Sequence, residues 1–264
     1  MSVAVDLGLG DFVRRRELFT TLVERQLRIR SKRSVMGLLW PVLSPLFLLV
    51  LYSFVFGAVF DVPIADYGVY LFAGLLPWTF LVQAVNESLQ SISFEPDLVR
   101  RAPLPHQFLP LARVAVMFLP FLALLIAFVV YVALVSDRPF DPALLPALVL
   151  PVTSVTLLVG AVAMLLALLD VFSRDLRYML NNLLTVWFFL VPIVYHRRMV
   201  SDSVEVVTWI DPMRPIVDQF RDVLYEGRID HWWAHLATLG ACTALFLVGL
   251  AVFRRLAVDL AKDV

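Results

Sequence analysis

Apolar residues run in long blocks along this chain, and the charged residues are gathered between them. A hydrocarbon core about 30 Å thick is crossed by roughly 20 apolar residues in helical form. By that measure the blocks predict six spans, at about 37–60, 68–90, 111–135, 144–169, 180–196 and 233–253. The fourth block opens with prolines and the fifth with Asn181 and Asn182. Ahead of the first span, Phe12, Phe19, Leu22, Val23 and Leu27 recur at helical spacing among arginines, which predicts an amphipathic helix lying along a membrane surface over residues 12–30. The pattern is that of an all-α integral membrane protein.

Charge gives the blocks a direction. Arg14, Arg15, Arg16, Arg25, Arg28, Arg30, Lys32 and Arg33 precede the first span. Arg100 and Arg101 follow the second, Arg174 and Arg177 the fourth, and Arg254, Arg255 and Lys262 the sixth. The alternate loops have no Lys or Arg between Asp61 and Asp66 and only Arg138 near 136–143. Basic flanks stay in the cytoplasm, so both termini are expected there. The composition agrees: 61% of the 264 residues are hydrophobic and 17% charged, against about half and a quarter in soluble domains. The formal net charge of zero gives no reason to expect nucleic acid as a partner. The single cysteine, Cys242, excludes an intrachain disulfide. The first apolar block begins too late and runs too long for a cleaved signal peptide.

Most catalytic and energy-coupling chemistry is missing. No Gly-x-x-x-x-Gly-Lys-Ser/Thr loop is present for binding ATP phosphates, and no Gly-x-Ser-x-Gly elbow. His231 and His235 stand one helical turn apart, but two ligands without a third make a poor metal site, and the intervening Trp232 and Trp233 read as an interfacial belt. Intramembrane charges mark ion-driven carriers, and here the blocks are nearly bare. Glu87 sits beside Gln83, Asn86 and Gln90, and Asp170 closes the fourth block; both are read as residues at the water boundary. A proton- or sodium-driven carrier is therefore disfavoured, and energy is expected from elsewhere. Pro41, Pro45 and Pro77 within spans would each free a backbone carbonyl and shape the helix. Aromatic residues are dense in the first, second and fifth spans: Tyr52, Phe54 and Phe56, then Trp78 and Phe80, then Trp187, Phe188 and Tyr195. Packing accounts for most such rings; the functional alternative is a slide on which the C–H faces of sugars stack.

Several motifs then fall in one order. Arg33-Ser34-Val35-Met36-Gly37-Leu38-Leu39-Trp40-Pro41 with Pro45, Leu71 to Trp78, Asp97 to Pro105 with Leu109 to Ala112, Arg174-Asp175-Leu176-Arg177 with Trp187 to Tyr195, and Asp211 to Pro215 with Phe220-Arg221 resemble, in sequence and spacing, the type-2 ABC exporter permeases. The branch is the one that exports lipid-linked polysaccharides, O-antigens and teichoic acids. Two features depart from it. Leu104-Pro105-His106-Gln107 stands where the family often has an aromatic-Pro-Arg/Lys-Glu run, and the tail from Phe253 lacks an acidic-aromatic pair.

The resemblance implies one transmembrane domain over 1–264: a cytoplasmic amphipathic arm (1–36), a six-helix membrane domain (37–253) and a cytoplasmic tail (254–264). It implies a homodimer bound to two copies of a separate ABC ATPase, which would hold ATP and Mg while this chain binds no cofactor and no metal. Glu95, Asp97, Arg100, Arg101, His106 and Gln107 would form the ATPase-coupling loop. Asp211, Pro212, Arg214, Phe220 and Arg221 would form an outer re-entrant gate. The pyrophosphate of a polyprenyl-linked glycan would meet Arg28, Arg30 and Arg33, where charge-assisted hydrogen bonds favour phosphate. O-antigen, teichoic acid and cell-wall galactan all fit. The alternatives are a permease for a drug or small lipid, an enzyme acting on polyprenyl phosphate, and a membrane scaffold.

Overall fold

The computed structural model describes residues 16–33, 39–55, 64–95, 104–136, 138–172, 175–195 and 211–263, with the side chains of 31–33, 172 and 258–263 left aside. Among the described residues the chain is helical and without strands. Its elements are α1 (Arg16–Arg33), α2 (Trp40–Tyr52), α3 (Tyr67–Leu89), α4 (Phe108–Leu134), a 3₁₀ segment (Pro142–Leu148) running into α5 (Val149–Phe172), α6 (Leu176–Leu190), α7 (Met213–Arg221) with a wide turn (Asp222–Glu226), and α8 (Trp232–Asp263).

Among the described residues, four stretches are long and apolar enough to cross a membrane: Tyr67–Leu89, Phe108–Leu134, Pro142–Val171 and Trp232–Ala257. They correspond to the second, third, fourth and sixth predicted spans. The first appears as the shorter apolar helix Trp40–Val55, and residues 56–63 of that region lie outside the described set. The fifth is displaced from its predicted limits of 180–196, because α6 starts at Leu176 and stops at Leu190. Pro192 explains the stop. A residue before proline is pushed out of the helical region, and Val191 is extended at φ −74°, ψ 128°. The prolines that open the fourth block are accommodated in the 3₁₀ segment, where Asp141 accepts a hydrogen bond from the Ala143 amide at 2.9 Å. Helix α8 continues unbroken past the predicted boundary at 253 to Asp263.

Helix α3 is the centre of the bundle, buried from Val69 through Leu81 with no exposed side chain in that run. Around it α2, α4, α5, α6 and α7 supply one large apolar core. A second core, with Leu22, Phe108, Met164, Leu168, Leu250 and Phe253, seats α1 against α4, α5 and α8. There Phe19 packs edge-on against Phe108 with ring centroids 5.5 Å apart. The amphipathic helix thus buries its apolar side on the bundle itself, and Phe12 lies outside the described residues. Near the opposite end, the wide turn after α7 closes at Gly227 (φ 64°), where a Cβ would stand 2.3 Å from the Pro139 carbonyl oxygen. Only glycine combines that left-handed backbone with so close an approach.

Candidate functional site

An open cavity of about 460 Å³ lies among α1, α2, α3 and α4. Trp40, Pro41, Ser44 and Leu48 of α2 form one wall. Thr79, Val82, Gln83, Asn86 and Gln90 form the other, spaced so that one face of α3 and its end presents them together. Gln83 also joins the two walls. Pro45 has no N–H to offer the Pro41 carbonyl four residues back, and the Gln83 amide donates to that carbonyl instead, at 3.1 Å. A smaller cavity of about 220 Å³ shares Leu48, Trp78 and Val82 with the first and adds Tyr52, Leu75 and the α6 residues Leu184, Phe188 and Phe189. Together they make a groove along α2, α3 and α6, polar towards α1 and aromatic beyond.

Three of the predicted channel aromatics, Tyr52, Trp78 and Phe188, line this groove, and Trp187 packs against one of them. Tyr52 stacks on Phe188 (centroids 5.4 Å), and Trp78 contacts Phe188 (5.6 Å) and Trp187 (5.5 Å). Phe54 is exposed in the turn that follows α2, and Phe56 lies outside the described residues. Tyr195 donates its hydroxyl to the Phe189 carbonyl at 2.7 Å. Phe80 is elsewhere: it is 3% exposed and stacked on Phe121 in the core. Two residues along a helix turn the side chain by about 200°, so Trp78 and Phe80 cannot share a face.

The polar mouth carries a chain of charges. Arg30 of α1 reaches Glu87 of α3 at 3.0 Å, and Arg113 of α4 stands 3.9 Å from the other oxygen of the same carboxylate. Arg113 also donates to Glu95 at 3.2 Å, and Glu95 accepts further bonds from Gln26 (2.7 Å) and Arg25. Burial pushes the Glu95 carboxyl up, but the bonds from Arg25 and Gln26 and the charges of Arg25 and Arg113 outweigh it and hold the group below the ordinary carboxylate range. Of the predicted headgroup residues, Arg30 lines the cavity. Arg28 is exposed and reaches Glu24 on its own helix at 3.3 Å. The Arg33 side chain lies outside the described set.

The coupling residues divide similarly. Asp97, Arg100 and Arg101 lie outside the described residues. Glu95 is turned inward to α1 and α4 rather than outward, because two arginines and an amide surround it. His106 and Gln107 form the turn that opens α4, with Gln107 buried and its Nε2 without a hydrogen-bond partner among the described residues. Sequence reading overlooked Arg113, whose signal is a lone cation in an otherwise apolar block. It also misread Asp170 as a residue at the water boundary. Asp170 is 1% exposed and receives two bonds from Arg177 and one from Ser93.

At the far end, α7 is pinned against α3 and the irregular stretch after α6. The predicted gate residues cluster here. Asp211 accepts from the Trp187 indole (3.0 Å) and from the Met213 amide (2.9 Å), and Pro212 opens α7. Phe220 is fully buried, and Arg214 is buried beside Asp218. Arg221 donates to the Pro192 and Ile193 carbonyls at 2.7 and 2.8 Å, with its guanidinium 3.7 Å over the Tyr70 ring. His235 pairs with Asp222 at 2.9 Å, and no group of three metal-ligating side chains occurs among the described residues.

Known proteins are similar to this chain over nearly its whole length. An O-antigen export system permease protein of Myxococcus xanthus is 28% identical over 252 residues, covering 94% of this chain and 96% of that protein. Two permease proteins of the same description from Klebsiella pneumoniae are 25% and 24% identical over 256 residues, covering 97% of each chain. The sequence profile of the ABC-2 type transporter family matches residues 17–225, which takes in α1, the groove, its charged mouth and α7. With a multi-pass bundle and that match, the chain belongs to the ABC-2 type transporter family.

Proposed function

We propose that this chain is the membrane subunit of an ATP-driven exporter of a lipid-linked polysaccharide, working as a homodimer with two copies of an ABC ATPase. The groove along α2, α3 and α6 carries this reading: a polar, cationic mouth leads to an aromatic wall on a side of the protomer whose flanking residues, Phe47, Val50 and Leu51 of α2, Phe54 just after it, and Leu183, Val186 and Phe189 of α6, are exposed and apolar. A second copy set against that side would convert two grooves into one path. The rings of Tyr52, Trp78 and Phe188 would give passing sugars weak, repeated contacts that grip no residue tightly. The O-antigen permease relatives support the same cargo class.

In this reading α1 lies on the cytoplasmic side of a bacterial inner membrane, together with both chain ends. The 95–107 region seats the ATPase, which binds ATP and Mg. A polyprenyl-pyrophosphate headgroup is taken up near Arg28 to Arg33, and the residues from Asp211 to Arg221 close the outer end. The test is reconstitution of the chain with its ABC ATPase partner, in vesicles loaded with lipid-linked glycan on the ATPase side. ATP should expose the glycan to a glycosidase on the opposite side. Movement of a small lipid but of no glycan would replace this reading with the small-lipid alternative.

A further inference from the structure

We infer that Arg30 and Arg113 form a phosphate-binding site at the mouth of the groove, and that Glu87 occupies it as a built-in anion which the incoming headgroup displaces. This deepens the proposed function and rests on it for the identity of the cargo. Both cations line the 460 Å³ cavity, from different helices, with the Glu87 carboxylate between them. Their side chains are only 21% and 20% exposed, while that of Glu87 is 38% exposed. The carboxylate is thus the more solvent-accessible member and the one best placed to move aside. Asn86 and Gln90 line the same cavity and supply neutral amide donors, and Trp40 and Trp78 bound it with apolar surface. Two guanidinium groups and flanking amides around a partly dry space match the charge and the donor demand of a phosphate or diphosphate. A carboxylate already held there keeps the cations paired when the site is empty, and it sets a threshold that weakly charged headgroups fail to cross.

Arg113 gives the exchange a consequence. The same guanidinium that meets Glu87 at 3.9 Å donates to Glu95 at 3.2 Å, and Glu95 is gripped by α1 through Arg25 and Gln26. A phosphate that draws Arg113 into the cavity loosens it from Glu95. Occupancy of the mouth is thereby reported to the segment joining α3 and α4.

The experiment uses the full chain in neutral phosphatidylcholine nanodiscs, with the fluorescence of the tryptophans, two of which line the cavity, as readout. Undecaprenyl diphosphate, inorganic pyrophosphate and phosphatidylglycerol are titrated separately. Glu87→Gln should tighten binding about fivefold and Arg113→Gln should weaken it about tenfold, since one removes the competitor and the other a charge-assisted donor. Arg30→Gln, which spares the Glu95 contacts, should weaken it similarly and serves if Arg113→Gln fails to fold. Opposite signs for Glu87→Gln and the arginine variants support the site. The pattern with undecaprenyl diphosphate alone assigns it to the lipid-borne diphosphate. The same pattern with pyrophosphate assigns it to free phosphate groups, and with phosphatidylglycerol to lipid phosphates in general. Weaker or unchanged binding in Glu87→Gln, or no response to any of the three, overturns the site. The exporter reading fails separately: diphosphate binding with these signs but no ATP-driven glycan movement leaves the site standing and removes the cargo.

Discussion

Arg177 grips Asp170 at two points, Nε 2.7 Å from Oδ1 and Nη2 2.9 Å from Oδ2, across the turn between α5 and α6. The carboxylate side chain is fully buried and takes a third bond from Ser93, while the Arg177 guanidinium lies 5.1 Å over the Phe94 ring. This pair therefore ties the turn after α3 to both α5 and α6. Removing only the cation strands a buried charge, which costs about 3–5 kcal/mol. Arg177→Ala should lower the thermal aggregation midpoint in detergent more than Asp170→Asn does, because the arginine is 26% exposed and can turn to water. The double variant should fall well short of the sum of the two. Strictly additive losses would show that the two groups are uncoupled.

Glu95 fastens α1. Replacing it with Gln should speed amide exchange across residues 19–30 without changing exchange in α3. The pH dependence follows from the direction of its shift. A carboxyl held below its ordinary value of about 4.3 contributes fully above that value and loses the contribution only as pH falls through its own lower one. Protection of α1 should thus be flat from pH 8 to about 5 and decline in acid. A decline between pH 7 and 6 would assign the docking to another group.

Where the fold was legible, it was because a membrane leaves few options. The blocks at 68–90, 111–135 and 233–253 had to be helices, since only helices or closed barrels satisfy the backbone in lipid, and α3, α4 and α8 lie there. The boundaries that shifted were set by local backbone chemistry, with Pro192 stopping α6 and Asp141 starting the 3₁₀ segment. The site was half legible. Rings marked the groove through Tyr52, Trp78 and Phe188, but density alone could not separate Trp78 from the core residue Phe80. Pairings such as Arg113 with Glu87 and Glu95, or Asp170 with Arg177 and Ser93, depend on which helices face each other. No spacing along the chain encodes that.

At Gly74, α7 packs closely against α3. A Cβ there would stand 3.1 Å from both Arg221 Nη2 and Val217 Cγ1, and 3.4 Å from Ile193 Cγ2. Overpacking of this kind costs about 1–3 kcal/mol. Gly74→Ala should be tolerated with a measurable drop in the aggregation midpoint, and Gly74→Val should fall further by forcing α7 outward. Wild-type stability in Gly74→Val would mean that α7 is not held at this distance.

Arg221 is the residue for which α7 needs that closeness. Helix α6 ends before Pro192, so the carbonyls that follow have no helical amide to receive, and the Arg221 fork fills two of them while its plane lies on Tyr70. A lysine keeps the charge but neither the fork nor the flat face. Arg221→Lys should cost about 2–3 kcal/mol, from one charged hydrogen bond and most of the ring contact. Tyr70→Phe, which retains the ring but loses the hydroxyl's 3.0 Å bond to the Tyr195 carbonyl, should cost about 1 kcal/mol. If α7 closes the outer end of the path, Arg221→Lys should also raise amide exchange over 191–195 and let a small tracer leak through reconstituted vesicles without ATP. Faster exchange with no leak would make the contact a brace for α6 and remove Arg221 from the gate.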